Sequence, residues 1–456
     1  MNEQALRDLL TSAADRTGFG LVDDVAAADA VLETRRTQRR QRAAMAAAAA
    51  CVALGVVLVP VLIGDRTPSG DAGPAAAVLG WPSRGSLADD PDAVEAVRSL
   101  PWGVDDLVPL EARSVPFVGD VPGGRLALVV GEPADARAGD TVYGQWFFGP
   151  PGADPADFVP DSAVMGLGDA ESLSSLTQDG SGLVVLADPG DAVEVSPRVV
   201  VGTDGSVRRD FTPAETVDGV AMAEVDSTTG DGPAATYRVL RDGVVVDRGR
   251  PYPPLGLYDD FDPPQLTPLY PSAAPPVPDA VDLAISQVTV ETGEDDLRLA
   301  LVWAGPLGGP GAAQAVVLAA TLPNGAVVVS TAWVRSHPTG MVHSGAGCGA
   351  QSHPAGTPID TLALAVRCHT GPGPGDDSES VLLLITPGGV TDVVLLPGDG
   401  EPRNFVVSPG ALSMSPPPAG ADRVRFEGLS ADPVEQAVVD SPEGRIVDRE
   451  GRFAED

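Results

Sequence analysis

Residues 125–131 read RLALVVG, and residues 297–305 read LRLALVWAG. Both are uninterrupted apolar runs of strand length, and both contain the string RLALV. Comparable runs recur along the chain at 141–149 (TVYGQWFFG), 183–187 (LVVLA), 326–334 (AVVVSTAWV), 381–386 (VLLLIT) and 393–396 (VVLL). Such runs are separated by the turn dipeptides Asp204-Gly205, Asp242-Gly243 and Asn324-Gly325. Short apolar runs bounded by these turns predict a mainly β fold.

The chain also repeats itself in order. After RLALV, each half continues with a looser match between 183–211 and 382–405, and then with RDGVVVDRGR (241–250) against PEGRIVDREGR (442–452). Three matches in the same order predict a duplicated unit, and therefore two tandem β-sandwich-like domains. A single β-propeller is the alternative architecture. The repeat of about 40–50 residues that a propeller needs is not visible in the sequence.

Shifts in composition predict the domain boundaries. We expect a cytoplasmic tail (1–42), a transmembrane helix (43–63), a linker (64–95), a first β domain (96–250), a proline-rich linker (251–280) and a second β domain (281–456). Beyond the membrane span, only residues 90–108 have a helical pattern. Because prolines prevent regular strand pairing, the linker 251–280 is expected to lie across a surface, held there by Tyr252, Tyr258, Phe261 and Tyr270.

The two copies differ most in one segment. The separation of matched residues grows from 173 (Arg125 to Arg298) to 194 (Phe211 to Phe405), which indicates an insertion of about twenty residues in the second copy. We place it at 335–375 and expect a surface loop, where binding residues collect. The segment contains Cys348 and Cys368, which we expect to form a disulfide, and the candidate binding-loop residues His337, His343, His353 and His369.

Several roles are open for these histidines. Their spacings match no zinc pattern, so we assign no metal site and no cofactor. A pH-sensitive loop is one alternative, because histidine titrates near neutrality, and exposed histidines without a special role are another. The segment is also the expected contact surface for an envelope ligand or a protein partner.

Residues 43–63 read AAMAAAAACVALGVVLVPVLI and carry no charge. Twenty-one residues of helix span about 31 Å, the thickness of the hydrocarbon core of a bilayer. The excess of positive charge on the inner side of membranes places the N-terminus in the cytoplasm, because a cluster of arginines precedes the span: Arg35, Arg36, Arg39, Arg40 and Arg42. A processed export signal is the alternative, although its apolar region is ordinarily shorter.

The charge and the cysteines of the chain indicate the surroundings of the residues that follow the predicted span. The formal net charge of the 456-residue chain is −35, and the first 42 residues are neutral overall. The acidic excess therefore lies outside the membrane, where it disfavours nucleic-acid binding. A disulfide between Cys348 and Cys368 would agree with an oxidising exterior.

The cytoplasmic tail has two helical patterns, one with Leu6, Leu9 and Leu10 and one with Val25 and Val31. This layout resembles that of membrane-anchored anti-sigma regulators, although the tail lacks their His-x-x-x-Cys-x-x-Cys signature. The arginine-only basic composition resembles that of single-pass membrane proteins of high-GC Gram-positive bacteria. The resemblance implies a regulator that acts through residues 1–42.

No catalytic motif is evident. The sequence has no Gly-x-Ser-x-Gly elbow and no P-loop. We therefore predict a single-pass membrane protein whose outer β domains bind or sense an envelope ligand or partner, without enzymatic activity. The alternatives are an envelope hydrolase with an unrecognised site and the anti-sigma-like regulator.

Overall fold

A computed structural model describes residues 78–453, except for 103–106, 134–141, 168–170, 178–179, 226–227, 230–231, 253–263, 309–312, 337–341, 371–379, 399–400, 419, 429–433 and 441–444. Within these residues the fold is mainly β, with several sheets, none of which closes on itself, and two α-helices. The predicted tail (1–42), membrane helix (43–63) and arginine cluster lie outside the described residues. Neither described helix has the length and apolar character needed to cross a bilayer.

The described first half, residues 78–252, begins with helix α1, Pro91–Arg98. Asp90 caps the helix by accepting hydrogen bonds from the backbone N–H groups of Asp92 and Ala93, and Pro91 occupies the first turn. This helix confirms part of the pattern predicted at 90–108. Sheet 1 follows in the order β1-β2-β3-β4, with β5 also pairing with β3; its strands are Arg113–Val121, Gly124–Gly131, Tyr143–Gly149, Val159–Pro160 and Met165–Gly166.

Two further sheets complete the first half. Sheet 2 has the order β12-β13-β7-β6, and its strands in chain order are β6 Leu173–Leu176, β7 Gly182–Leu186, β12 Glu215–Val217 and β13 Val220–Glu224. Sheet 3 has the order β11-β8-β16-β17, with β8 Ala192–Ser196, β11 Thr212–Pro213, β16 Thr236–Arg241 and β17 Val244–Gly249. Two small ribbons pair β9 Val199–Val201 with β10 Val207–Arg209, and β14 Thr228–Thr229 with β15 Gly232–Pro233.

The described second half, residues 264–453, also begins with a helix. Helix α2 covers Pro278–Thr292 and ends at Gly293, which adopts the left-handed conformation. Sheet 4 has the order β18-β19-β20-β21-β29, with strands Arg298–Pro306, Gln314–Thr321, Val327–Ser336, Val342–His353 and Ile446–Val447. Sheet 5 has the order β22-β23-β26: Leu364–His369, Ser380–Thr386 and Gly410–Met414. Sheet 6 has the order β25-β24-β27-β28: Arg403–Val406, Asp392–Pro397, Ala421–Glu427 and Val434–Ala437.

Both halves stack the same layers. In the first half, α1 packs on one face of sheet 1, a cluster around Trp146 joins sheets 1 and 2, and a cluster around Tyr237 joins sheets 2 and 3. In the second half, α2 packs on sheet 4, a cluster around Trp333 joins sheets 4 and 5, and a cluster around Phe426 joins sheets 5 and 6. In sheets 2 and 5, successive strand residues point alternately to the two faces, so each of these sheets contributes side chains to two clusters.

In each half, an extended piece of chain lies beside the first strand of the sheet that packs on the helix, β1 in sheet 1 and β18 in sheet 4. In the first half Arg84 exchanges backbone hydrogen bonds with Pro116 and Val118 of β1, and the chain then turns over residues 85–89. In the second half the backbone N–H of Tyr270 donates to the Val302 carbonyl of β18 at 2.9 Å. Both segments run parallel to their strand, and each precedes the helix of its half.

The two halves contact each other through a buried cluster and an ion pair. Val199 and Val201 of β9 pack with Val288 of α2 and with residues of sheet 4. Arg209 of β10 forms a buried salt bridge with Glu291 of α2 at 2.9 Å. All described helices and strands belong to one compact unit.

Two expectations differ from the structure. Helix α2 occupies residues that we expected to be the end of a linker and the start of a β domain, because packing on sheet 4 outweighs the strand preference of its many β-branched residues. The segment 335–375 is not a continuous loop: residues 342–353 form β21 and 364–369 form β22, whereas 354–363 connect the two strands through turns. Strand β21 pairs with β20, and β22 pairs with β23.

Candidate functional site

A cavity of about 490 Å³ opens between sheets 1 and 2 at one edge of the first half. One wall is the segment 83–89, and the other is the hairpin of β12 and β13. Its lining residues are Ser83, Arg84, Gly85, Ser86, Ala88, Asp89, Glu215, Val217, Asp218, Val220 and Met222. The volume is in the range of sites for small molecules.

The extended segment fixes the position of Arg84. Its backbone pairs with β1, and Gly85, with φ of +105°, lets the chain pass against the Val118 carbonyl where a Cβ would collide. The guanidinium of Arg84 lies 4.4 Å from the centre of the Trp81 ring. Its Nη1 donates to the carbonyl oxygens of Ala187 (2.8 Å) and Asp218 (3.1 Å), which joins the segment to sheet 2.

The hairpin that forms the second wall has a two-residue turn. Asp218 and Gly219 both have positive φ angles, 50° and 75°, which is the geometry of a type I′ turn. A Cβ on Gly219 would collide with the Ala187 carbonyl and would lie 2.8 Å from Nη1 of Arg84. Glycine at this position therefore lets the turn sit directly against the guanidinium.

The residues that line the cavity include more acidic than basic side chains. Arg84 is 6% exposed, and its Nε and Nη2 atoms have no hydrogen-bond partner among the described residues. Burial lowers the pKa of Arg84, opposed by the charges of Asp188 and Asp218. Three acidic residues line the same cavity: Asp89, Glu215 and Asp218. The wall thus combines one buried guanidinium, of which two nitrogen atoms have no partner among the described residues, with an excess of negative charge.

The equivalent edge of the second half is filled. Tyr270 occupies the position along β18 that Arg84 occupies along β1, and its ring joins the cluster between sheets 4 and 5. Its hydroxyl donates to the Leu362 carbonyl at 2.8 Å, and burial raises its pKa, so it remains a donor. Within the described residues, sheet 5 has three strands and no counterpart of β12.

The structure describes the side chains of two of the four histidines, His353 and His369. His337 lies outside the described residues, and His343 is in β21 with a side chain that is not described. His353, at the end of β21, is buried, and burial together with the charge of Arg449 lowers its pKa to about 3. It is therefore a neutral core residue at neutral pH. The described residues contain no group of three His, Cys, Asp or Glu side chains placed to hold a metal ion.

His369 lies in a chain of hydrogen bonds. Its Nε2 is 2.8 Å from Oδ1 of Asp440, and its Nδ1 is 3.1 Å from Oγ of Ser380, its partner across β22 and β23. Arg367 donates to the other oxygen of Asp440 at 2.8 Å. Serine, histidine and aspartate are connected here in the order of a hydrolase triad, but with the ring nitrogens exchanged, since in that triad Nε2 faces the serine and Nδ1 the aspartate. Ser380, however, is completely buried, so in this arrangement its hydroxyl does not reach a substrate.

The predicted disulfide is confirmed. Cys348 of β21 and Cys368 of β22 are bonded, and both are buried in the cluster between sheets 4 and 5. The bond therefore joins two layers of the second half and does not shape a surface loop. His369 follows Cys368 directly, whereas His353 lies five residues beyond Cys348, and the two described histidines have different surroundings, Asp440 for one and a buried position near Arg449 for the other.

The cavity was not anticipated from the sequence. Its walls come from 83–89 and 215–222, and the first of these lies in the segment that we assigned to the linker 64–95. The available signal was the string WPSRGS at 81–86, which places a tryptophan and an arginine in a stretch otherwise rich in small and polar residues. No protein-family model matches this chain, and no curated protein matches it.

Proposed function

We propose that this chain is a ligand-binding or sensing protein of the cell envelope, and that the cavity beside Arg84 is its binding site. The supporting observation is a cavity of about 490 Å³ whose lining combines Val217, Val220 and Met222 with charged residues on both walls. Its volume and its mixed lining are those of sites that bind small molecules. Binding sites typically combine apolar walls with a few such polar groups.

We further propose that the two halves are copies of one sandwich-like unit. The matching layer order and the matching extended segments support this inference. It strengthens the case for a site, because the second copy closes the same edge with Tyr270. Since this edge can be filled in one copy, an open cavity is not a requirement of the fold.

We also propose that the chain is anchored in the membrane, with its β-strands on the outer side. An uncharged run at 43–63 behind five arginines supports a membrane anchor with a cytoplasmic N-terminus. The Cys348–Cys368 disulfide supports an oxidising location for the strands. Spheroplasts that carry a C-terminally tagged chain test this topology. External protease should remove the tag and spare a cytoplasmic marker; a protected tag would contradict the proposal.

A cavity-filling variant tests the binding site. Val217→Trp introduces a large ring at a position that lines the cavity and is 63% exposed, so the core is not disturbed. Val244→Trp is the matched control, because Val244 is 65% exposed on β17, away from the cavity. Ligand-observed NMR of metabolite mixtures should give signals that Val217→Trp abolishes and Val244→Trp retains. Equal signals for both variants would exclude this site.

A hydrolase is the second candidate, favoured by the Ser380–His369–Asp440 chain. In the neutral tautomer that donates Nε2–H to Asp440, Nδ1 would accept the serine proton, as a general base does. A fluorophosphonate probe applied to the full chain tests this function. Labelling that Ser380→Ala abolishes and Ser174→Ala, another buried strand serine, retains would support catalysis. No labelling would leave the three residues with a structural role.

Contact with a partner through 335–375, and a sigma-factor role for residues 1–42, remain predictions from the sequence. Capture with residues 1–42 that recovers no sigma factor would remove the second of these.

A further inference from the structure

Asparagine is rare in this chain, and one of its asparagines precedes a glycine. The three asparagines are Asn2, Asn324 and Asn404, which are followed by glutamate, glycine and phenylalanine. An asparagine side chain forms a five-membered succinimide ring when the backbone nitrogen of the next residue attacks its amide carbon. Glycine at that next position leaves the nitrogen unobstructed, because glycine has no side chain. Asn324 is therefore the asparagine whose sequence favours this reaction most.

The structure places Asn324 in the turn between β19 and β20, at the junction of the two halves. The residue is exposed, and it lines a cavity of about 160 Å³ together with residues of β9. Its Nδ2 donates a hydrogen bond to the Val201 carbonyl of the first half at 2.8 Å. Its Oδ1 accepts a hydrogen bond from the backbone N–H of Ala326 at 3.0 Å. Solvent therefore reaches a residue whose side-chain amide connects the two halves.

The closed turn opposes the reaction. The backbone N–H of Gly325 donates to the Leu322 carbonyl at 2.9 Å, although this nitrogen must lose its proton and approach the amide carbon before a ring can form. The hydrogen bond from Nδ2 of Asn324 to Val201 holds the leaving group in place. Both hydrogen bonds must break for the ring to close. Ring closure is consequently coupled to local opening at the junction.

We propose that Asn324 is a site of spontaneous deamidation that weakens the junction of the two halves. In the first step the Gly325 nitrogen forms a bond to Cγ of Asn324, and the Cγ–Nδ2 bond breaks. The amide nitrogen leaves as ammonia, which takes up the proton of the Gly325 nitrogen. In the second step water adds to one carbonyl carbon of the ring and opens it to aspartate or isoaspartate. Water is the co-reactant, and no electrons are transferred.

Both products lose the contact with β9. A carboxylate has no N–H to donate, so the Val201 carbonyl loses the donor that Asn324 supplies and faces a negative charge instead. Isoaspartate also adds a methylene group to the backbone of the turn. The closed junction is therefore not restored after deamidation, and an opening event that leads to this reaction is irreversible.

Peptide mapping by mass spectrometry on the full chain in detergent micelles tests the proposal. Incubation at mildly alkaline pH should convert Asn324 to aspartate and isoaspartate, about tenfold more slowly than in the chain unfolded by urea. Asn404 precedes a phenylalanine and serves as the internal control that should remain unchanged. No conversion of Asn324 in the folded chain after about thirty half-lives of the unfolded chain would overturn the site. Equal rates in the two states would overturn the coupling to the junction.

A variant at the junction separates local opening from events elsewhere. Glu291→Gln removes one charge of the buried Arg209–Glu291 pair and should raise the rate at Asn324 by about tenfold or more. Glu435→Gln is the matched control, because Glu435 pairs with Arg423 in sheet 6 and both side chains are partly exposed. If Glu291→Gln does not fold, urea below the unfolding transition opens the junction in its place. Equal rates with and without this opening would refute the coupling.

A further variant tests the consequence of the modification. Asn324→Asp reproduces one product and should lower the urea midpoint of unfolding. Asn404→Asp is the matched control, because it introduces the same charge at an exposed position of β25 and should leave the midpoint unchanged. If the two variants have the same midpoint, deamidation leaves the junction intact, and the proposed weakening is wrong.

Discussion

The ion pair between the two halves gives a prediction whose size follows from burial. Glu291 of α2 accepts a hydrogen bond from Arg209 at 2.9 Å, with side chains that are 4% and 1% exposed. Its other oxygen is bonded to Arg250, whose side chain is 31% exposed. Glu291→Gln preserves the shape of the side chain and removes its charge. It leaves the guanidinium of Arg209 buried opposite a neutral amide.

The two arginines contribute unequally to the expected loss. Removal of one partner from a buried pair destabilises a protein by about 3–5 kcal/mol, because the ion pair is lost while the other charge stays buried. Arg250 is partly in water, so its share is screened and is about 1 kcal/mol or less. We therefore expect Glu291→Gln to lower the free energy of unfolding by about 3–5 kcal/mol.

Urea denaturation of the full chain in detergent micelles measures this loss without changing ionic strength. Glu294→Gln is the matched control, because Glu294 lies just beyond the same helix and pairs with Arg198 of the first half at 3.1 Å. Those side chains are 32% and 47% exposed, so the expected loss is about 1 kcal/mol or less. If both variants lose the same stability, burial does not set the strength of the Arg209–Glu291 contact and the reasoning is refuted.

Three further predictions concern single features of the fold. Reduction of the Cys348–Cys368 bond, which closes 20 residues of chain, should lower the free energy of unfolding by about 3 kcal/mol, measured as the shift of the urea midpoint with reductant. Burial lowers the pKa of His353 from 6.5 to about 3, so the unfolded chain binds a proton first as the pH falls. Stability should therefore fall by about 1.4 kcal/mol per pH unit from pH 6.5 towards 3, and the difference between wild type and His353→Leu over pH 6.5 to 5 measures it. Gly219→Ala should disturb the turn beside Ala187 and reduce binding in the cavity, whereas Gly243→Ala, also at positive φ but facing open space, should not reduce binding.

The strands were predictable because their signals are local. The runs at 125–131, 183–187 and 381–386 correspond to β2, β7 and β23. The dipeptides Asp242-Gly243 and Asn324-Gly325 lie in the turns between paired strands, as their side chains and conformations favour. Each of these features depends on a few neighbouring residues, so the sequence alone identifies them.

Helix α2 was missed although its signals are present. Val281, Ala284, Ile285 and Val288 recur at helical spacing and are all buried, and Gly293 follows the last turn. The many β-branched residues favour a strand locally, and the preceding prolines suggested a continuing linker. The helix is stabilised by packing on sheet 4, which is a long-range effect that composition does not reveal.

The sequence repeat was informative in one place and misleading in another. The match between 183–187 and 382–386 falls on β7 and β23, which occupy corresponding positions in sheets 2 and 5. The string RLALV falls on β2, the second strand of sheet 1, and on β18, the first strand of sheet 4. Buried strands draw on a few apolar residues, so identical strings arise at positions that are not equivalent.

The segment 335–375 shows why a site cannot be assigned from a predicted insertion alone. The fourth strand of sheet 1 is broken into two short pieces, β4 and β5, whereas its counterpart β21 is continuous over twelve residues. Strand β21 pairs with β20 and contains Cys348, which lies in the core, where the disulfide joins sheets 4 and 5. The open cavity lies in the other half, where the edge beside Arg84 is not filled by an aromatic ring. The disulfide and the open cavity therefore lie in different halves, and the length of a segment in the sequence does not indicate which half holds the space that a ligand needs.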